Sequence, residues 1–210
     1  MVSGVARPVR APESWNSSRH VLGSRIMAEP KARQVLYLIA CASPRARRIG
    51  ELVSRAQARG WTVCVIPTPQ ALKFIDRPAL EEQTNFPVRA EYEQPRTAEA
   101  LPPPDAVLVC PATFNTINKW AYGLADTLAL ALLTEAVGLN LPLVAAPALN
   151  SAQAAHPAFN RSVSALREMG VTVLYGPGVY EPGPPGTGGR PYDWDLPLGA
   201  LEQAVGHQQT

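Results

Sequence analysis

Short, continuous runs of apolar residues that end at small or proline residues recur along the chain, and stretches with helical spacing separate them. Val35-Leu36-Tyr37-Leu38-Ile39-Ala40, Thr62-Val63-Cys64-Val65-Ile66, Ala106-Val107-Leu108-Val109-Cys110, Leu143-Val144-Ala145-Ala146 and Val171-Thr172-Val173-Leu174-Tyr175 are such runs. A strand apolar on both faces must be covered on both faces, which is the condition of a parallel sheet. The segments between them carry stripes instead. Ile49, Leu52, Val53 and Ala56 line one helix face before Gly60, and Phe159, Val163, Leu166 and Met169 line another before Gly170. The spacing predicts one long helical segment through Lys119, Ala125, Leu128 and Leu132, and a closing helix over 196–205. The polar, proline-bearing stretch 77–104 admits at most a short strand near Phe86 to Ala90. The order implies an α/β fold: a Rossmann-like, doubly wound parallel sheet with helices on both faces and right-handed crossovers.

Such a sheet places its ligand at the carboxyl ends of its strands. The loops there are Cys41 to Arg45, Pro67 to Ala71, Pro111 to Thr116 and Pro147 to Ser151. Each carries small hydroxyl or amide residues beside a helix start: Ser43; Thr68; Thr113, Asn115 and Thr116; Asn150 and Ser151. Hydroxyl donors and free N–H groups at helix starts suit a phosphate. Helix capping explains any one of these residues alone. Their recurrence on four loops at one end favours a ligand. Ala40-Cys41-Ala42-Ser43-Pro44-Arg45 lacks the glycine spacing of a dinucleotide fingerprint.

Composition narrows the class. Nineteen Lys plus Arg against seventeen Asp plus Glu give a net charge of +2, too small a field to imply nucleic acid or a membrane surface. Asp126, Glu135, Asn140, Pro142 and Pro147 interrupt the longest apolar stretches, which argues against a membrane span. Cys41, Cys64 and Cys110 lie in apolar runs without metal-ligand spacing, so neither a metal nor a disulfide framework is expected, and a reducing, cytoplasmic setting is. Residues 1–33 lack apolar periodicity and are read as a disordered leader, with Met27 an alternative start; 34–210 are read as one domain.

Pro111-Ala112-Thr113-Phe114-Asn115-Thr116-Ile117-Asn118-Lys119, followed by Gly123-Leu124-Ala125-Asp126, resembles the Pro-Ala-Ser-Ala-Asn-Thr segment and Gly-x-Ala-Asp of the flavin-containing cysteine decarboxylases. That family includes phosphopantothenoylcysteine decarboxylase and enzymes that decarboxylate C-terminal cysteines of lantibiotic precursors. The likeness runs from about Val35 to Tyr175. It implies a flavoprotein fold, FMN bound at subunit contacts, and a homo-oligomer, a trimer or a multiple of trimers. By similarity, Ser43, Thr68, Thr113, Phe114, Asn115 and Thr116 bind the cofactor. Ala42 replaces the family's glycine, and Phe114 replaces a small residue, which the resemblance implies would press on the flavin or alter its tilt.

The departures bear on the reaction. The family's histidine before this strand falls at Thr97, which cannot act as a base near neutral pH. The substrate motif reads Pro147-Ala148-Leu149-Asn150-Ser151-Ala152-Gln153-Ala154, keeping the carboxylate-binding Asn150 without the methionine and tryptophan. His156 precedes a helix, where capping or solvent exposure is a better expectation than a replacement base. The Gly- and Pro-rich segment 176–191, which composition alone would make a flexible surface loop, resembles the family's substrate flap but carries no cysteine, which argues against the complete coenzyme A branch reaction. Tyr192 and Trp194 are read as packing residues. The expected function is flavin-dependent redox or decarboxylation chemistry on a small acid or thiol. The alternative is a non-catalytic FMN-binding regulatory or scaffold protein, and Asn150 and the flap, which a scaffold does not need, favour the enzyme.

Overall fold

The computed structural model describes residues 34–91, 101–187 and 192–208. Five strands, β1 (Val35–Ala40), β2 (Thr62–Pro67), β3 (Ala106–Ala112), β4 (Leu143–Pro147) and β5 (Thr172–Val173), form one sheet in the order β2-β1-β3-β4-β5. Every pairing is parallel. β1 lies in the middle of the winding, flanked by β2 and β3, so the chain reverses its direction of travel across the sheet between β1 and β3.

Alternate residues of each strand feed two separate cores, as strand geometry requires. On one face Leu36, Leu38, Val63, Val65, Leu108 and Val144 pack with α1 (Ile49–Ala58) and α7 (Asp195–Gln208). On the other, Tyr37, Ile39, Ile66, Val107, Val109 and Ala145 pack with α3 (Phe114–Ala121), α4 (Leu128–Gly138) and α6 (Pro157–Glu168). Trp194 is buried and its indole N–H donates to Glu51 at 3.2 Å, while Asp195 accepts from both Arg55 and Arg59, tying α7 to α1. The expected packing role of Trp194 holds.

Three local expectations are corrected. The strand near Phe86 to Ala90 is absent; the Val88 N–H donates to Glu81 Oε1 and the Phe86 N–H to the Thr84 hydroxyl, so side chains take the backbone donors that a ladder would need. The preceding residues form a helix, α2 (Arg77–Thr84), whose signal was Asp76 as N-cap, accepting from the Ala79 N–H, with Pro78 in the first turn. The long helical segment after β3 is two helices: Gly123 takes a left-handed φ of 67° after α3, and Thr127 caps α4 through the Leu130 N–H. β5 spans only Thr172 and Val173: the Leu174 N–H makes the last bond to β4, at the Ala145 carbonyl, and the Tyr175 N–H then turns back to the Val173 carbonyl.

Candidate active site

The reversal between β1 and β3 opens a crevice at their carboxyl ends, the position where ligands of this sheet class bind. The Cys41 N–H donates to the Pro111 carbonyl at 3.1 Å and so locks the two strand ends together at its floor. The loop after each of β1 to β4 then starts a helical turn. Ser43 caps the 3-10 turn Pro44–Arg48 through its hydroxyl. Thr68 occupies the same place before the turn Pro69–Lys73, but its hydroxyl makes no capping bond. Thr113 caps α3, accepting from the Thr116 N–H at 3.4 Å, with the two threonine hydroxyls 3.1 Å apart. Prolines at the first positions of both 3-10 turns fix the backbone entry.

All six residues expected to contact a cofactor, Ser43, Thr68, Thr113, Phe114, Asn115 and Thr116, line one cleft of about 650 Å³. That volume lies within the range of about 300–1,000 Å³ usual for small-ligand sites. Polar groups gather at the strand ends, and Phe114, Leu130 and Ala148 supply apolar wall. The Phe114 ring stacks on Phe159 and meets the edge of His156, at centroid distances of 6.1 and 5.7 Å, so the protein itself fixes its plane. Lys119 also faces the cleft and is ion-paired with Asp126 of the Gly-x-Ala-Asp segment.

Asn150 lies in a neighbouring chamber of about 430 Å³, and Ser43, Pro44, Ala148 and Gln153 belong to both walls. Asn150 caps the short helix α5 (Ser151–Ala154) in a reciprocal box: its side-chain oxygen accepts from the Gln153 N–H at 2.9 Å, and Gln153 Oε1 accepts from the Asn150 N–H at 3.2 Å. The capping explanation is therefore correct for the oxygen. The cap does not use the amide NH2. The described part of the Gly- and Pro-rich segment forms the far wall, held by the Ser151 N–H donating to the Gly183 carbonyl at 2.8 Å and by the Tyr180 hydroxyl donating to the Leu149 carbonyl at 3.0 Å.

His156 is the N-cap of α6, accepting from the Ala158 N–H at 3.1 Å, and lines neither space, as expected. Thr97 lies outside the described residues. Sequence reasoning missed Gln153 as a shared wall and Tyr180 and Tyr192 as chamber residues; the capping-box spacing Asn150 to Gln153 was the available signal for the first. Beneath the chamber the Cys110 thiol donates to the Tyr192 oxygen at 3.6 Å. Burial pushes the Cys110 thiol up to about 12 and the Tyr192 phenol well above its ordinary range, so both stay protonated. Burial also raises the Cys41 thiol, against the opposing hydrogen bonds of Thr116 and Thr113 beside it. No helix among the described residues is long and apolar enough to cross a membrane.

Among solved structures, the chain is similar to the FMN-dependent cysteine decarboxylase SpaF, with a TM-score of 0.65 at 24% identity, covering 83% of this chain and 98% of that one. It is also similar to the cypemycin decarboxylase CypD, with a TM-score of 0.67 at 20% identity over 87% of this chain and 99% of that one. At these identities the likeness shows the shared doubly wound fold. Among curated proteins it is 36% identical over 107 residues to the coenzyme A biosynthesis bifunctional protein CoaBC of Thermococcus kodakarensis, covering 50% of this chain and 25% of that protein. The chain spans a quarter to three tenths of the length of such bifunctional relatives. A family model for Flavoprotein matches residues 25–189, well over half of the chain, and with the doubly wound sheet and its strand-end cleft it establishes that the chain belongs to the Flavoprotein family.

Proposed function

We propose that the chain binds FMN in the cleft at the ends of β1 and β3 and acts as a flavin-dependent decarboxylase or oxidoreductase on a small acid or thiol in the adjoining chamber. The observation that carries this reading is convergence: side chains from the loops after β1, β2, β3 and β4 line one cleft beside a second, flap-walled space. The residues fit the cofactor. The hydroxyls of Ser43, Thr68 and Thr113 stand at the starts of helical turns, where a phosphate is well received, and Phe114 and Leu130 offer apolar surface to an isoalloxazine. When bound, the flavin supplies the acceptor for two electrons, which is the difficult part of such chemistry.

The chain's own groups bind and orient. The amide NH2 of Asn150, which the cap does not use, offers a donor to an anionic group, and the segment around Tyr180 and Gly183 walls one side of the chamber. Among the described residues no histidine lines either space, and the buried phenol of Tyr192 and thiol of Cys110 keep their protons near neutral pH. The site therefore suits a substrate that arrives already ionised, as a carboxylate or thiolate, and needs no residue to deprotonate it. A second copy of the chain is proposed to close the cofactor cleft. The loop between Lys119 and Thr127, both of which line it, carries Tyr122 and Leu124 at 66% and 50% exposure. A homotrimer in a reducing, cytoplasmic compartment accords with this reading and with three buried, unpaired cysteines.

The visible spectrum of the purified protein, with the released cofactor identified by mass, tests the proposal. A yellow protein that releases about one FMN per chain and bleaches anaerobically with a small thiol acid is the expected result. A colourless protein that takes up no added FMN would overturn it.

A further inference from the structure

The turn after β1 holds three arginines with three different fates. Arg48 is exposed and paired with Glu51, and Arg47 lies over the Phe74 ring, 5.8 Å from its centroid. Arg45 turns inward. Its guanidinium lies against the rings of Tyr192 and Tyr180, 4.6 and 5.3 Å from their centroids, and its Nη1 is removed from solvent with no hydrogen-bond partner among the described residues. A buried cationic donor left unpaired is costly, and charged groups are rarely kept so unless a partner completes them.

Arg45 lines the chamber and not the cofactor cleft, although Ser43 and Pro44 beside it line both. The two carboxylates that line the chamber among the described residues do not neutralise it. Glu181 and Asp193 are both exposed and neither is ion-paired with Arg45, and Asp193 accepts from the Asp195 N–H. The flanking aromatic rings exclude water from the guanidinium face, which strengthens its attraction for an anion. Its planar fork matches a carboxylate with two parallel hydrogen bonds.

We propose that Arg45 is the anion anchor of the chamber, holding the carboxylate of a small acid at the chamber wall beside the Tyr180 and Tyr192 rings, with the Asn150 amide as a second, neutral contact. This deepens the flavoenzyme reading by naming the group that selects its substrate, and it rests on that reading only for the identity of the neighbouring ligand. The position of the anchor also ties substrate to the flap, because Tyr180 both flanks Arg45 and bonds the Leu149 carbonyl.

Calorimetric titration of the full chain with mercaptoacetate and with its uncharged isostere mercaptoacetamide, with and without FMN, tests the assignment. Wild type is expected to prefer the acid by at least about tenfold. Arg45→Gln should abolish that preference while binding FMN as wild type does, and Arg45→Lys, which keeps the charge without the fork, should retain part of it. Equal affinity of wild type for the two probes, or a preference that survives in Arg45→Gln, overturns the proposal. So does weakened binding of FMN but not of riboflavin by either variant, which would assign Arg45 to the cofactor's phosphate. If Arg45→Gln loses its near-ultraviolet circular dichroism, the Lys variant decides: a preference reduced in a folded Arg45→Lys supports the anchor, and an unchanged one overturns it. Failure of wild type to take up FMN, with the acid preference intact, would sink the flavin reading and leave Arg45 in place.

Discussion

Asn150 and Gln153 cap one another, each side-chain oxygen accepting the other's backbone N–H, so the amide oxygen of Asn150 is committed to the backbone and its NH2 is the end that a ligand can meet. Asn150→Asp separates the two roles. Aspartate caps as well as asparagine does, so stability should change by less than about 0.5 kcal/mol. The same change replaces a donor by a negative oxygen in the chamber, so binding of a small carboxylate should weaken by about tenfold or more. Asn150→Ala should lose both, with about 1 kcal/mol of stability. Thermal melting and acid titration of the two variants check this. Equal ligand affinity in wild type and Asn150→Asp would remove Asn150 from the substrate site.

Thr113 and Thr68 make a second contrasting pair. Both begin helical turns on the cofactor cleft, but the Thr113 hydroxyl caps α3 whereas the Thr68 hydroxyl makes no capping bond. Thr113→Val should therefore cost about 1 kcal/mol of stability as well as flavin affinity. Thr68→Val should leave the melting temperature nearly unchanged and still weaken FMN binding, by about tenfold if its hydroxyl donates to the phosphate. Urea melts alongside flavin fluorescence quenching read the two effects independently. A Thr68→Val chain that binds FMN as wild type does would take that loop out of the site.

Much of this was legible in the chain. The strands announce themselves because residues buried on both faces of a parallel sheet have no polar side to hide, and topology then directs attention to the loops that line the two clefts. α2 was hidden because only Leu80 and Thr84 of its eight residues are buried, too short a stripe for periodicity, so its Asp76 and Pro78 start signal was the better guide. The break between α3 and α4 depends on one glycine at positive φ, which local apolar spacing runs straight across. Arg45 was beyond sequence reasoning for another reason. Its direction is set by Tyr180 and Tyr192, which reach it only through the tertiary fold, and the three arginines of that turn are locally equivalent.

The three cysteines connect the core to pH. Burial raises Cys110 to about 12 and Cys64 to about 11, and raises Cys41 as well, from an ordinary thiol value of 9.0. In the unfolded chain the same thiols ionise near pH 8.5 to 9. Between that value and the raised folded one, the unfolded state releases protons that the native state keeps. Stability is then fully present below about pH 8.5 and falls as pH rises, each thiol contributing up to about 1.4 kcal/mol per pH unit. Urea melts from pH 7.5 to 10.5 should show a flat region followed by a steepening decline, and Cys110→Ala should flatten part of that slope even though it lowers stability at neutral pH. The same protonation makes the thiols poor nucleophiles, so a disulfide reagent should label the native chain slowly and the urea-unfolded chain at all three positions. Rapid labelling of the folded protein, or a stability profile that does not fall above pH 9, would mean that at least one of these thiols is reached by water in solution.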